Sequence, residues 1–83
     1  MSNPMNRTGL LDGNFREVFG PCWIDLVNSS RNSVTVTIQI NGKGFRRRID
    51  KFSMASLSVA ANEKAELKAA GRTVTYEVRG GDA

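Results

Sequence analysis

Side chains that could perform acid–base, nucleophilic or metal chemistry are scarce in this sequence. It has no His and a single Cys, so the usual general base near neutral pH, the usual zinc ligands and the Cys–His or Ser–His nucleophiles are all missing. The carboxylates are scattered singly, and the closest pair, Glu63 and Glu66, lies among Lys64 and Lys68 as an ordinary solvated face. We therefore expect a protein that is not an enzyme, with no catalytic residue, bound metal, cofactor or small-molecule substrate.

Cys22 is the only thiol and stands beside Trp23. A lone cysteine forms no intrachain disulfide, and free cysteines usually behave as small buried hydrophobic residues, which is the role we expect here. No apolar run approaches the about 20 residues needed to cross a bilayer, and the first residues lack the charged-then-apolar pattern of a signal peptide. These features favour synthesis in a cytoplasm, and we expect no membrane partner.

The one local excess of charge lies in residues 43–51. This segment holds five basic side chains and one carboxylate, Asp50, whereas basic and acidic residues balance elsewhere, so it accounts for the formal net charge of +4. Three interpretations remain open: a solvated strand face that protects a sheet edge from pairing, a surface that binds phosphates, and a surface that meets an acidic protein. The basic residues are Lys43, Arg46, Arg47, Arg48 and Lys51.

Alternation of apolar and polar residues begins near residue 22 and predicts the strands that carry the basic segment. The clearest strand is residues 33–40, in which polar residues alternate with Val34, Val36, Ile38 and Ile40. Asn41-Gly42 follows, and because this dipeptide tolerates the positive φ angles of a tight turn, it predicts a hairpin into Phe45. The basic segment is therefore expected on a strand and a hairpin, not on a flexible tail.

The strand after the hairpin is expected to present its charges on both faces. Phe45, Arg47 and Ile49 share one face, and Arg46 and Arg48 point the other way. Guanidinium groups pair well with phosphates and with carboxylates, so the second face is suited to either. Arg47 is predicted to face the apolar side, which implies a buried carboxylate partner or an interface that covers it.

The apolar phase changes after this strand. A bulge or bend near residues 50–51 would bring Phe52 and Met54 inward. Leu57 and Val59 then predict a short strand of their own.

Residues 60–70 are rich in Ala, Glu and Lys, which suits a helix, but Leu67 is their only large apolar residue, so we favour a strand. A last strand covers residues 73–79, and residues 81–83 are expected to form a flexible tail. Five or six short strands separated by turns predict a mostly β domain over residues 22–80, a small antiparallel sandwich or barrel.

Residues 1–21 carry Gly and Pro without alternation and are predicted to form an extended N-terminal arm. Asn14 and Glu17 have the spacing of a helix cap, which predicts a short helical turn before Gly20-Pro21. A helix this short cannot persist alone in water, so its apolar groups must pack on the domain's own core or dock on another subunit. The apolar residues of the arm are Leu10, Leu11, Phe15, Val18 and Phe19.

The segments WIDLVNSS, SVTVTIQING, SLSVAANEKAEL and TVTYEVRGG occur in an order that resembles small immunoglobulin-like sandwiches. With its Gly/Pro-containing arm and without a catalytic set or disulfide, the chain is also similar to accessory proteins that decorate or cement bacteriophage capsids or serve at tail and head-tail joints. This resemblance implies a virion protein, made in the host cytoplasm, that binds repeated subunits through its arm and strand surfaces.

Three functions follow from these features. In the leading hypothesis the arm docks on a neighbouring virion subunit and the strand of Arg46 to Arg48 meets an acidic surface. A small single-stranded nucleic-acid-binding barrel is the first alternative and would bind with a steep dependence on salt. A cytoplasmic inhibitor or adaptor of one host protein is the second and would form a one-to-one complex. The nucleic-acid alternative uses Lys43, Phe45, Arg46, Arg48 and Lys51.

Overall fold

Eight short strands form the domain in the computed structural model, which describes residues 7–80. A single turn of 3₁₀ helix, Ala70–Arg72, joins the last two strands, and no helix within residues 7–80 is long and apolar enough to span a bilayer. The strands are β1 (Arg7–Leu10), β2 (Arg16–Phe19), β3 (Cys22–Asn28), β4 (Val34–Ile40), β5 (Lys43–Ile49), β6 (Met54–Val59), β7 (Lys64–Lys68) and β8 (Val74–Gly80).

The strands form two four-stranded antiparallel sheets. Sheet I has the order β1-β8-β3-β6, and sheet II has the order β2-β7-β4-β5. The strand pairs 1–8, 2–7, 3–6 and 4–5 thus alternate between the sheets, which is the arrangement of a jelly roll. An immunoglobulin domain has a different order, with strands one, two, five and four in one sheet and three, six and seven in the other.

The predicted fold class, a small mostly β antiparallel sandwich, is confirmed. The interval 22–80 holds six strands, β3 to β8. The Ala- and Lys-rich stretch forms strand β7, because Ala65 and Leu67 alternate into the core and the charged residues between them face solvent. The predicted flexible tail, residues 81–83, and the first six residues of the predicted arm lie outside the described part of the chain.

The predicted arm and helical turn are wrong for residues 7–19. These residues form β1, an edge strand paired with β8, and β2, an edge strand paired with β7. The Asp12 carboxylate accepts a hydrogen bond from the Asn14 backbone N–H at 2.9 Å, so an Asx turn forms where a helix cap was expected. Strand pairing satisfies the backbone groups of both segments that face the neighbouring strand, which a helix too short to be stable would not do.

The core lies between the sheets and contains one face of nearly every strand. Along β3 the residues that point into the core are Cys22, Ile24, Leu26 and Asn28, and Trp23 and Val27 face solvent. At the edge of sheet I, Gly9 leaves room for the Tyr76 ring of the paired strand β8, since a β-carbon on Gly9 would lie 2.7 Å from that ring. The other fully buried large side chains are Leu11, Val18, Val36, Ile38, Ile49, Val59, Leu67 and Val74.

The turns on either side of β5 determine which side chains of the adjacent segments point into the core. Asn41 and Gly42 have φ angles of 51° and 86°, as in the predicted tight hairpin between β4 and β5. The turn after β5 leaves Phe52 and Met54 in solvent, so the prediction that both point inward is wrong. The chain reverses at this turn instead of bulging, and the first inward residue of β6 is Ala55.

Candidate functional site

The basic segment forms β5, which lies at one edge of sheet II and pairs only with β4. Its register places Arg46 and Arg48 opposite threonines of β4, on the face that points away from sheet I. Phe45 and Arg47 lie opposite buried apolar residues of β4, on the side of the core. The predicted division of the strand into two faces is therefore confirmed.

Arg47 points to the core side of sheet II but is exposed, so the expectation of a buried carboxylate partner is wrong, and the expectation of an interface that covers it stays a prediction. The first six residues of β5 are all exposed, including Phe45 and Arg47, which point to the side of the core. Among residues 7–80 no carboxylate pairs with Arg47, and the Arg48 Nε–Asp50 Oδ1 distance is 3.9 Å in an exposed pair worth little energy. The side chains of residues 43–48 are thus solvated on both faces of β5.

The structure does not gather the predicted nucleic-acid set on one surface. Arg46 and Arg48 share the outer face of sheet II, whereas Lys43 and Phe45 lie on the other side of β5 and Lys51 lies in the next turn. A strand of nucleic acid tracking one face would meet only part of the set.

The apolar residues of the predicted arm are also divided. Leu11 and Val18 are fully buried in the core, so the prediction that they dock on a partner is wrong. Phe15 and Phe19 are exposed beside sheet II, where Lys68 Nζ lies 4.6 Å from the centre of the Phe15 ring. Leu10 is exposed on sheet I, on the face that points away from the core.

A different surface gathers large exposed apolar side chains: the outer face of sheet I. The pairings align Leu10, Thr75, Val27 and Met54 in one row across all four strands. Trp23 lies on the same face as Val27, four residues earlier along β3, and is 47% exposed. We refer to Leu10, Trp23, Val27 and Met54 as the sheet I face.

A charged network lies in the middle of the sheet I face. Asp25 is only 8% exposed, although it points outward, because its neighbours cover it. The Ser56 hydroxyl donates to Asp25 Oδ1 at 2.7 Å, and Arg79 donates to the two carboxylate oxygens at 3.2 and 3.0 Å. The hydrogen bond from Ser56, followed by the bonds and charge of Arg79, lowers the pKa of Asp25 below its ordinary value of 3.8.

Asp25 should make the stability of the folded protein depend on pH. Because its pKa is lower in the folded protein, the carboxylate stabilises the fold above pH 3.8, and this contribution is lost as pH falls through the folded value. We expect the free energy of unfolding, measured by urea denaturation, to fall between pH 5 and pH 2, and the Asp25→Asn variant to fall less. Asp12 also has a lowered pKa, through the Asn14 backbone N–H, so the variant keeps part of the loss. An identical pH profile in both proteins would contradict the assigned role.

The arrangement of the sheet I face is suited to binding a protein. A flat sheet exposing Trp, Met and aliphatic side chains, with an Arg already held by a carboxylate, has the composition of an interface centre. Covering this network would leave the Asp25 carboxylate paired, which lowers the desolvation cost. Apolar residues at both alternate phases of β3, in Trp23-Ile24 and Leu26-Val27, are the signal in the sequence that could have identified this face.

The described residues 7–80 contain no cluster of three or more His, Cys, Asp or Glu side chains placed to hold a metal ion. No protein-family model, curated protein or solved structure matches this chain.

Proposed function

We propose that this chain is a non-enzymatic protein-binding module, and that it binds repeated subunits of a virion as an accessory protein. The observation that carries the proposal is the sheet I face. Four large apolar side chains from three strands lie in solvent there, and Met54 is 59% exposed. Apolar side chains gathered on one sheet face gain free energy when a partner covers them.

The virion setting is supported by analogy. The jelly-roll strand order recurs in viral capsid domains, and also in lectins and cupins, so the topology favours the setting without assigning a partner. The sheet I face replaces the docking arm in this proposal, since β1 is part of the sandwich and contributes Leu10 to that face. A small domain with little core gains area by lying across a neighbouring subunit.

Co-sedimentation with virions from the source of the chain tests the proposal. We expect the protein to bind in a saturable ratio set by a repeated subunit. Trp23→Ala and Val27→Asp should each weaken binding at least tenfold, because interface centres depend on buried aromatic and aliphatic residues. Phe19→Ala is the matched control, since Phe19 is 64% exposed but lies on β2 of sheet II, which contributes nothing to the sheet I face.

Three results would contradict the proposal. Failure of the unmodified protein to sediment with the particles would contradict the proposal that it binds virion subunits. Equal binding by the Trp23, Val27 and Phe19 variants would contradict the assignment of the sheet I face as the binding surface. A soluble one-to-one complex with a single host protein, measured by light scattering, would instead support the inhibitor or adaptor alternative.

A further inference from the structure

We propose that strand β5 accepts an extended acidic segment of a protein partner as an additional strand of sheet II. β5 spans Lys43–Ile49, and its register with β4 is continuous over all seven residues. The side of β5 away from β4 bears no strand within the described residues, so backbone donors and acceptors face solvent along about 24 Å. A second extended chain can pair with such an edge.

The β5 edge differs from the other three sheet edges. β1 and β2 have four residues each, and β6 has six without a charged side chain, whereas β5 has seven, four of them basic, and contains no Pro and no bulge. Short length, Pro and bulges are common ways of preventing strands from pairing at an edge. The β5 edge relies on charge alone, and charge discriminates between partners by sign.

The charges of β5 exclude a second copy of the chain as the added strand. Antiparallel pairing of two β5 strands about Arg47 would place Arg47 opposite Arg47 and Arg46 opposite Arg48. Like charges directly opposite one another destabilise a strand pair. An acidic strand would place carboxylates at the same positions, where each forms a favourable cross-strand pair with a guanidinium.

The placement of the charges on two faces favours a peptide over nucleic acid. Arg46 and Arg48 lie on one face of β5, and Arg47 and Lys43 lie on the other. Side chains of an added strand alternate between the same two faces, so three consecutive carboxylates would meet Arg46, Arg47 and Arg48 in turn. Phe45 is 46% exposed beside Arg47, and we assign an apolar residue of the partner to the position opposite it.

Binding of synthetic peptides to the full chain tests this inference. The probe is a fluorescein-labelled ten-residue peptide with three consecutive Glu residues next to Val, flanked by Thr and made in both chain directions. We expect fluorescence anisotropy to show saturable binding by one direction and at least tenfold weaker binding when Glu is replaced by Gln. N-methylation of alternate backbone nitrogens, in each of the two phases, should abolish binding in one phase, because it removes strand hydrogen bonds and keeps the charge.

Two variants separate the contribution of the β5 edge to peptide binding from the contribution of net charge. Arg47→Glu should weaken binding at least tenfold, whereas Arg72→Glu, which changes the net charge equally in the 3₁₀ turn between β7 and β8, should change it by less than about twofold. Both side chains are exposed, and circular dichroism checks that both variants fold. Hydrogen exchange of the unmodified protein should slow at alternate β5 amides when the peptide is bound.

Three outcomes would overturn the inference. Equal binding of the peptides methylated in both phases would show attraction between charges without strand pairing. Tighter binding of a dodecamer of deoxythymidine than of the acidic peptide, with a steep salt dependence, would assign β5 to nucleic acid. Absence of binding to either probe would make the charges a device that keeps the edge unpaired. The sheet I face takes no part in this assay, so its result is independent of the virion co-sedimentation.

Discussion

Replacement of Asn28 by Ala should lower the free energy of unfolding by about 3 kcal/mol, more than half of the about 5 kcal/mol at the lower end of domain stabilities. Asn28 is fully buried at the end of β3, and its amide Nδ2 donates to the carbonyl oxygens of Asn32, Ile49 and Asp50 at 2.8, 3.1 and 3.2 Å. Its Oδ1 accepts from the Ser30 backbone N–H at 3.0 Å. One side chain thus joins the loop after β3 to the turn after β5, across the two sheets.

Urea denaturation followed by circular dichroism measures this effect. Asn28→Asp should destabilise at least as much as Asn28→Ala at neutral pH, because its carboxylate would face carbonyl oxygens that need a donor. Asn32→Ala is the control, since the Asn32 side chain is exposed and only its backbone oxygen accepts from Asn28. A loss below about 1 kcal/mol for both Asn28 variants would show that the turns hold together without this residue.

Gly20→Ala should have an effect of similar size, about 3 kcal/mol. A β-carbon at Gly20 would overlap the backbone oxygen of Ala60 and lie 2.7 Å from that of Val59. Both contacts involve backbone, so no side-chain rotation relieves them. The Gly20 N–H also donates to the Glu63 carbonyl oxygen at 3.0 Å, which fixes this close approach between the β2–β3 link and the β6–β7 turn.

Gly13→Ala is the matched control for this substitution. Nothing lies within 4 Å of a β-carbon at Gly13, and its φ angle is outside the left-handed region. We expect the control to be neutral or slightly stabilising, because Ala restricts the unfolded chain more than Gly does. Equal urea midpoints for the Gly20 and Gly13 variants would contradict the role of the Ala60 contact.

Strands with a buried and a wet face were predictable from the sequence, and the short edge strands were not. β4 and β8 each span seven residues, which is long enough for alternation to be visible. β2 has four residues and one inward side chain, Val18, so it shows no period of two. Leu11, Phe15, Val18 and Phe19 have helical spacing, but Val18 and Phe19 pair with β7 and the Leu11 N–H donates to the Val74 carbonyl oxygen, so no helix forms.

The candidate surfaces could not be predicted from the sequence, because they depend on the strand order. No local sequence pattern specifies that order. The two faces of β5 follow from alternation and were predicted, but its position at the edge of sheet II among the described strands depends on the strand order. Likewise, Leu10, Val27 and Met54 are far apart in the chain and meet only because β1, β8, β3 and β6 are neighbours. Asp25 appeared as one scattered carboxylate because its partners, Ser56 and Arg79, lie on other strands.

The position of β8 between β1 and β3 governs the order of folding. The β4–β5 hairpin closes through a two-residue turn, so it can form within microseconds of its synthesis. Sheet I cannot close until residues 74–80 are available, because β8 pairs with both β1 and β3. Pairing of such distant segments makes folding slow, and until it occurs the apolar inner face of β3 depends on transient contacts or on chaperones.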